Sequence, residues 1–181
     1  MASIVVAGDT SGSITIAAPN VAGTNTLTLP ANTGTVITTA STFAGTGPAF
    51  SAYSNSTASI SSATWTKVPV NVEEFDTNSN YDNATNYRFT PTIAGYYQIN
   101  GQARGNGTIS RILSAIRKNG SEYKLGSDLS SGERSVVSSL IYMNGSTDYV
   151  ELYIYVVGSG ITYTGSIYAD NYLNGFLARS A

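Results

Sequence analysis

Arg88-Phe-Thr-Pro-Thr-Ile-Ala-Gly-Tyr-Tyr-Gln-Ile-Asn-Gly-Gln-Ala103 joins a turn to an amphipathic strand. Pro91 has a fixed φ and no N–H to donate, so it ends one strand at an edge or corner, and Gly95 supplies the backbone freedom with which the next begins. From Tyr96 onward the chain alternates. Tyr97, Ile99, Gly101 and Ala103 point one way, and Tyr96, Gln98, Asn100 and Gln102 point the other. A period of two marks a strand with one packed face and one more polar face.

The same texture extends to both sides. Strand-like runs cover residues 49–54, 64–72, 86–90, 96–104, 110–118, 134–143, 149–157, 161–167 and 172–179, with turn signals between them at Lys118-Asn-Gly120, Met143-Asn-Gly145 and Ser130-Ser-Gly-Glu133. No window sustains a period of 3.6, so the expected fold class is all-β, a sandwich or barrel. In residues 149–157 Val150, Leu152, Ile154 and Val156 form the core face. The opposite face carries Tyr149, Tyr153 and Tyr155, which reads as a packing surface between chains; a solvent-facing aromatic ladder is the alternative.

Composition narrows the function. A chain of 181 residues holds one ordinary domain plus an appendage. With a formal charge of −2 and only 11% charged residues, it lacks the basic footprint of a nucleic-acid binder and any polybasic or amphipathic segment for a membrane. There is no cysteine for disulfides or thiolate metal sites, and no histidine for proton transfer near neutral pH. Phosphate loops, dinucleotide fingerprints, nucleophile elbows and zinc spacings are also missing, so neither catalysis nor a cofactor is expected. Glu73 and Glu74 are strand neighbours that point to opposite faces and make no acid/base pair.

Asp76, Asn78, Asn80 and Asp82 place oxygen ligands at alternate positions, as an EF-hand loop begins. Tyr81 then stands where that loop needs glycine, and Tyr87 where it needs a bidentate glutamate. A calcium site of another kind stays open beside the simpler reading, an Asx-rich turn. Five Asn-x-Ser/Thr sequons begin at Asn55, Asn83, Asn106, Asn119 and Asn144; chance in a chain this rich in Asn, Ser, Thr and Gly accounts for them. The first nine residues have no basic region and too short an apolar run for a signal peptide or a span, so synthesis without secretion is expected.

Between Asp9 and Lys67 not one residue is charged. Residues 1–45 are built from Thr, Ser, Ala, Gly and Asn, with aliphatic pulses at Ile14-Thr-Ile16, Leu27-Thr-Leu29 and Val36-Ile37. Pro19 and Pro30 follow two of these pulses, which favours short strands over a helix. So few aliphatic side chains make no core of their own, so this arm should pair with something else, a flexible linker being the alternative.

Several pieces together resemble the globular head of the complement C1q family. Ala49-Phe-Ser-Ala-Tyr53 is similar to its first strand, and Phe89-Thr-Pro91 with Gly95-Tyr-Tyr97 to its Phe-x-x-Pro…Gly-x-Tyr-x-Phe signature. Lys118-Asn-Gly120 resembles its Lys-Asn-Gly hairpin, Leu152 lies in its late aliphatic strand, and Asn174-Gly-Phe-Leu177 is similar to its closing strand. Ile99 stands where the family usually has an aromatic, and no collagen-like stalk is present. The resemblance covers residues 46–181 and implies a ten-stranded jelly roll, related to tumour necrosis factor, assembled as a homotrimer. Tyr149, Tyr153, Tyr155, Tyr97 and Ile99 then read as its trimer-packing residues.

The arm, with Gly12-Ser-Ile-Thr-Ile-Ala-Ala-Pro19 and Gly23-Thr-Asn-Thr-Leu-Thr-Leu-Pro-Ala-Asn-Thr-Gly-Thr-Val-Ile37, resembles segments of bacteriophage tail-fibre and head-surface proteins. That likeness implies a virion-surface component made in the host cytoplasm. The expected role is a trimeric capsid decoration or cement protein. Ile14, Ile16, Leu27, Leu29, Val36 and Ile37 would then attach it to the major capsid protein or another virion protein. The alternative is the receptor-binding tip of a short tail fibre, recognising a host-surface glycan or protein through tyrosines and loops such as residues 81–86 and 121–131.

Overall fold

The computed structural model describes residues 3–7, 11, 13–17, 23–24, 47–165 and 170–181, and the chain divides into two units, Met1–Ser41 and Thr42–Ala181. In the first unit β1 (Ser3–Ala7) and β2 (Ser13–Ala17) pair antiparallel, with Ile4 opposite Ile16 and Val6 opposite Ile14. Leu27, Leu29, Val36 and Ile37 lie outside the described residues.

The second unit contains β3 (Ala49–Tyr53), β4 (Ala58–Ser59), β5 (Thr64–Lys67), β6 (Val72–Asp76), β7 (Tyr81–Asp82), β8 (Arg88–Phe89), β9 (Gly95–Lys118), β10 (Ser121–Leu125), β11 (Arg134–Met143), β12 (Val150–Tyr163) and β13 (Tyr172–Ser180). Two antiparallel sheets share β9. Its residues 95–104 lie between β13 and β11, and β3 and β6 extend that first sheet beyond β13. Its residues 105–118 lie between β12 and β10, and β12 in turn pairs β4, β5 and β8 along its other edge. The result is a jelly-roll sandwich.

Two strands were expected at 96–104 and 110–118, and one continuous strand is found. The chain passes between sheets where its pairing with β12 shifts register, between Val157 and Gly158 and between Ser159 and Thr162. Such irregularities raise local twist and let a strand bend without ending. Gly107 sits there at φ +116, a backbone shape that side chains rarely adopt. The runs 149–157 and 161–167 likewise merge into β12, whereas Pro69 interrupts 64–72 and leaves β5 and β6 as separate strands.

Asn119 and Gly120 both take positive φ, 53 and 78, and Lys118 pairs with Ser121, which is the two-residue hairpin the sequence promised. Met143-Asn-Gly145 behaves differently. The Asn144 side-chain oxygen accepts from the N–H groups of Ser146, Thr147 and Asp148, so the segment is a capped loop that carries the chain from β11 in one sheet to β12 in the other.

Val150, Leu152, Ile154 and Val156 have no exposed area and face Tyr97, Ile99 and Ala103 in the shared core. Truncation of Leu152 to alanine should destabilise the head by about 2–5 kcal/mol. Leu125→Ala, at a position 54% exposed, should change stability by no more than about 0.5 kcal/mol. Urea titration of both variants followed by tyrosine fluorescence checks this pair.

Candidate functional site

Tyr97 and Ile99 do not reach another chain. Both have 0% exposure inside the protomer's own core, which corrects their expected place at a trimer contact. Their parity along β9 turns them toward the opposite sheet, and the Tyr97 hydroxyl donates to the Ile93 carbonyl at 2.7 Å. Burial pushes the Tyr97 phenol up to about 12.

Tyr149, Tyr153 and Tyr155 are half-buried on the outward face of the second sheet. Guanidinium groups lie over their rings: Arg88 over Tyr149 at 4.3 Å, Arg117 over Tyr153 at 4.1 Å and Arg111 over Tyr155 at 5.7 Å. Trp65 leans on Tyr155 with 5.3 Å between ring centroids, and Lys67 pairs with the buried Glu151. Cation–π contacts of this kind stabilise a partly covered ladder within one chain. Beside Tyr155 and Tyr153 on the same face, their register partners Leu113 and Ala115 are 5% and 0% exposed.

The open apolar surface is on the other sheet. Facing outward are Tyr96, Leu140, Tyr142, Val136, Phe176 and Phe75, each between 42% and 54% exposed. Register aligns them in rows: Tyr142 opposite Tyr96, and Leu140 and Phe176 on either side of Gln98. The middle row, Ser51, Asn174, Asn100 and Ser138, is polar but neutral. Asn100 donates to Asn174 at 3.1 Å and accepts from Ser138 at 2.8 Å and from Gln98 at 3.0 Å. Of the outward positions from Tyr96 to Gln102 and their partners on β3, β11 and β13, Arg179 opposite Tyr96 alone carries a charge, and Ser51 donates to the Glu74 carboxylate of β6. At one end of this face, Tyr96, Leu140 and residues 178–181 line an open cleft of about 520 Å³.

Charge collects at the opposite end. Asp170 accepts from Arg104 at 2.7 Å and from Arg134 at 2.9 Å, and Arg104 also reaches Glu133 at 3.0 Å. Burial disfavours the Asp170 carboxylate, but the hydrogen bonds from Arg134 and Arg104 outweigh it and hold the group below its ordinary value.

Sequence reading missed the apolar face because Tyr96 was grouped with the glutamines and asparagines of its strand. A signal was present in β11, where Val136, Leu140 and Tyr142 alternate with Val137, Ile141 and Met143 and make both faces apolar.

The calcium candidate resolves into separate turns. Asp76 accepts from the N–H groups of Asn78 and Tyr81 at 3.2 and 2.6 Å, and Asn80 bonds Thr92 and the Asn78 carbonyl. Asp82 accepts from Ala84, Thr85 and Asn86. The two carboxylates are therefore committed to different stretches of backbone. Among the described residues no three His, Cys, Asp or Glu side chains converge as a metal site.

No family model matches the chain, and no curated protein sequence matches it. Solved structures do. Murine APRIL is similar with a TM-score of 0.57 at 10% identity, over 72% of this chain and 98% of that one. The Eiger TNF of S. frugiperda is similar at 0.49 and 9% identity, over 74% and 95%. Rabbit GITRL stands at 0.44 and 10%, over 74% and 96%. At such identities the APRIL likeness establishes the fold, a tumour-necrosis-factor-like jelly roll, and leaves function to the site.

The Asp82 carboxyl lies at about 2 against an ordinary 3.8, lowered first by the Thr85 N–H and then by the Asn86 amide. A depressed carboxyl stabilises the folded state above its unfolded pKa and loses that contribution as pH falls through its folded one. Stability should therefore drop between about pH 4 and about pH 2, and Asp82→Asn should remove part of that drop in unfolding curves recorded across the range. Millimolar calcium should leave the Tm unchanged; a rise of several degrees, abolished in Asp82→Asn, would restore the metal reading.

Proposed function

We propose that the protein is a homotrimeric bacteriophage head decoration protein, with the jelly roll as its knob and the N-terminal unit as its attachment. The observation that carries the assembly is the outward face of the first sheet, where six large apolar side chains are exposed. Contiguous apolar patches of this kind mark contact surfaces on soluble proteins, and aromatic residues suit them especially. The resemblance to C1q-type heads favours three copies.

The arm supports the attachment role. Its hairpin pairs Ile4 with Ile16 and Val6 with Ile14, and the chain that follows Asp9 carries no charge from residue 10 to residue 66. A two-stranded hairpin is marginal alone and gains stability by packing on a partner. A trimer presenting three such arms binds a symmetric shell multivalently, and any ligand that binds only the assembled shell stabilises it by mass action. A receptor-binding tip would need rings free to stack on a sugar, whereas Arg88, Arg117 and Arg111 lie over Tyr149, Tyr153 and Tyr155. No catalytic role is proposed.

Analytical ultracentrifugation should find a trimer, and Leu140→Glu or Tyr96→Lys should convert it to a monomer with an unchanged β-type circular dichroism spectrum. A monomeric wild type would refute the assembly. Deletion of residues Met1–Ser41 should leave a soluble trimer that no longer decorates phage heads; full occupancy by the truncated protein would sink the attachment role.

A further inference from the structure

The chain contains five Asn-Gly pairs, beginning at Asn100, Asn106, Asn119, Asn144 and Asn174, and the fold holds them in different ways. Asn100 donates to Asn174 at 3.1 Å and accepts from Gln98 and Ser138. Asn119 donates to Asp148 at 2.8 Å and accepts from the Tyr149 N–H at 3.0 Å. Asn144 accepts three backbone N–H groups and donates to Thr147. Asn174 lies mid-sheet between Ser51 and Asn100, accepting from the Asn100 amide. In each case ring closure on the side-chain amide would require breaking bonds that the fold supplies.

Asn106 is the exception. It is exposed, and its Nδ2 has no partner among the described residues. Its Oδ1 accepts from the N–H of Gly107 at 2.9 Å, so the backbone nitrogen that must attack already lies against the carboxamide. Gly107 is also skipped by the ladder, which steps from Asn106 opposite Thr162 to Thr108 opposite Ser159. No inter-strand pairing has to break to free that nitrogen, and glycine adds no Cβ to crowd the ring.

We propose that Asn106 is a site of spontaneous modification, at which the folded protein converts asparagine to aspartate and isoaspartate. Hydroxide removes the Gly107 amide proton, and the nitrogen attacks Asn106 Cγ. The new C–N bond closes a succinimide as the Cγ–Nδ2 bond breaks, and ammonia leaves with the protons it needs taken from water. Water then opens either ring carbonyl. One route gives aspartate, the other an isoaspartyl linkage in which the main chain runs through the former side chain. Both add a negative charge where β9 passes between the sheets, and the isoaspartyl product also lengthens the backbone there.

Peptide mapping by mass spectrometry of the full-length folded protein, aged in mildly alkaline buffer, tests this directly. Conversion at Asn106 should run on the order of tenfold faster than at Asn100, Asn119, Asn144 or Asn174. In denaturant the five rates should converge, because the sequence pair is the same at each. Asn106→Ser should abolish the early acidic species seen by ion exchange. If Asn106 is not the fastest site in the folded chain, or keeps the same lead after unfolding, the structural assignment is wrong.

Discussion

Phe89 stacked on Phe50 is the contact on which the rest of the head depends. Their centroids are 4.2 Å apart with planes 15° from parallel, Tyr81 stacks on the other side of Phe50 at 5.1 Å, and Tyr97 meets Phe89 edge-on at 5.6 Å. Phe50 and Tyr97 come from the first sheet, Phe89 and Tyr81 from the second. Such pairs contribute about 0.5–1.5 kcal/mol each beyond the area they bury. Their polar ends are tied as well: Tyr81 donates to the Val70 carbonyl at 2.8 Å, and burial lifts its phenol far above the ordinary value. The cluster thus fastens two sheets and the loops that join them at one corner.

That corner also decides which surface the molecule shows. Once Tyr97 and Ile99 are inside, strand parity turns Tyr96, Gln98, Asn100 and Gln102 outward. Register then carries the choice across the sheet, to Tyr142, Leu140, Ser138 and Val136 on one neighbour and to Phe176, Asn174 and Tyr172 on the other. A slip of one residue in either strand would bury the amides and expose the core, so packing and presented face are fixed by the same constraint.

Parity is local, which is why it was legible in the sequence. The alternations in β9 and β12 identified both core faces, and Asn119-Gly120 identified its hairpin. What was illegible depended on distant chain. The residues at Gly105-Asn-Gly107 look like a strand end until β12 is laid beside them with its own irregularity at 158–161. Nothing in the sequence around Tyr149, Tyr153 and Tyr155 tells that Arg88, Arg117 and Arg111 are brought over their rings from elsewhere in the chain. In β11 both parities are apolar, so only its pairing with β9 shows which half faces out.

The neutral middle of the outward face is as consequential as its aromatic rows. Burying free amides and hydroxyls costs free energy unless each finds a partner. Here Gln98, Asn100, Ser138 and Asn174 already bond one another, so much of that requirement is met before anything docks. The strong ion pairs, Asp170 with Arg104 and Arg134, stand at the far end, where charges stay near water. Contact through this face is therefore governed by apolar burial around a preformed polar seam. Long-range charge contributes little to it, and screening by salt should weaken it little. A sheet arranged this way can be covered by another copy without leaving an unpaired charge or an unsatisfied amide at the centre, and β11, apolar on both sides, belongs at once to the core and to that outward face.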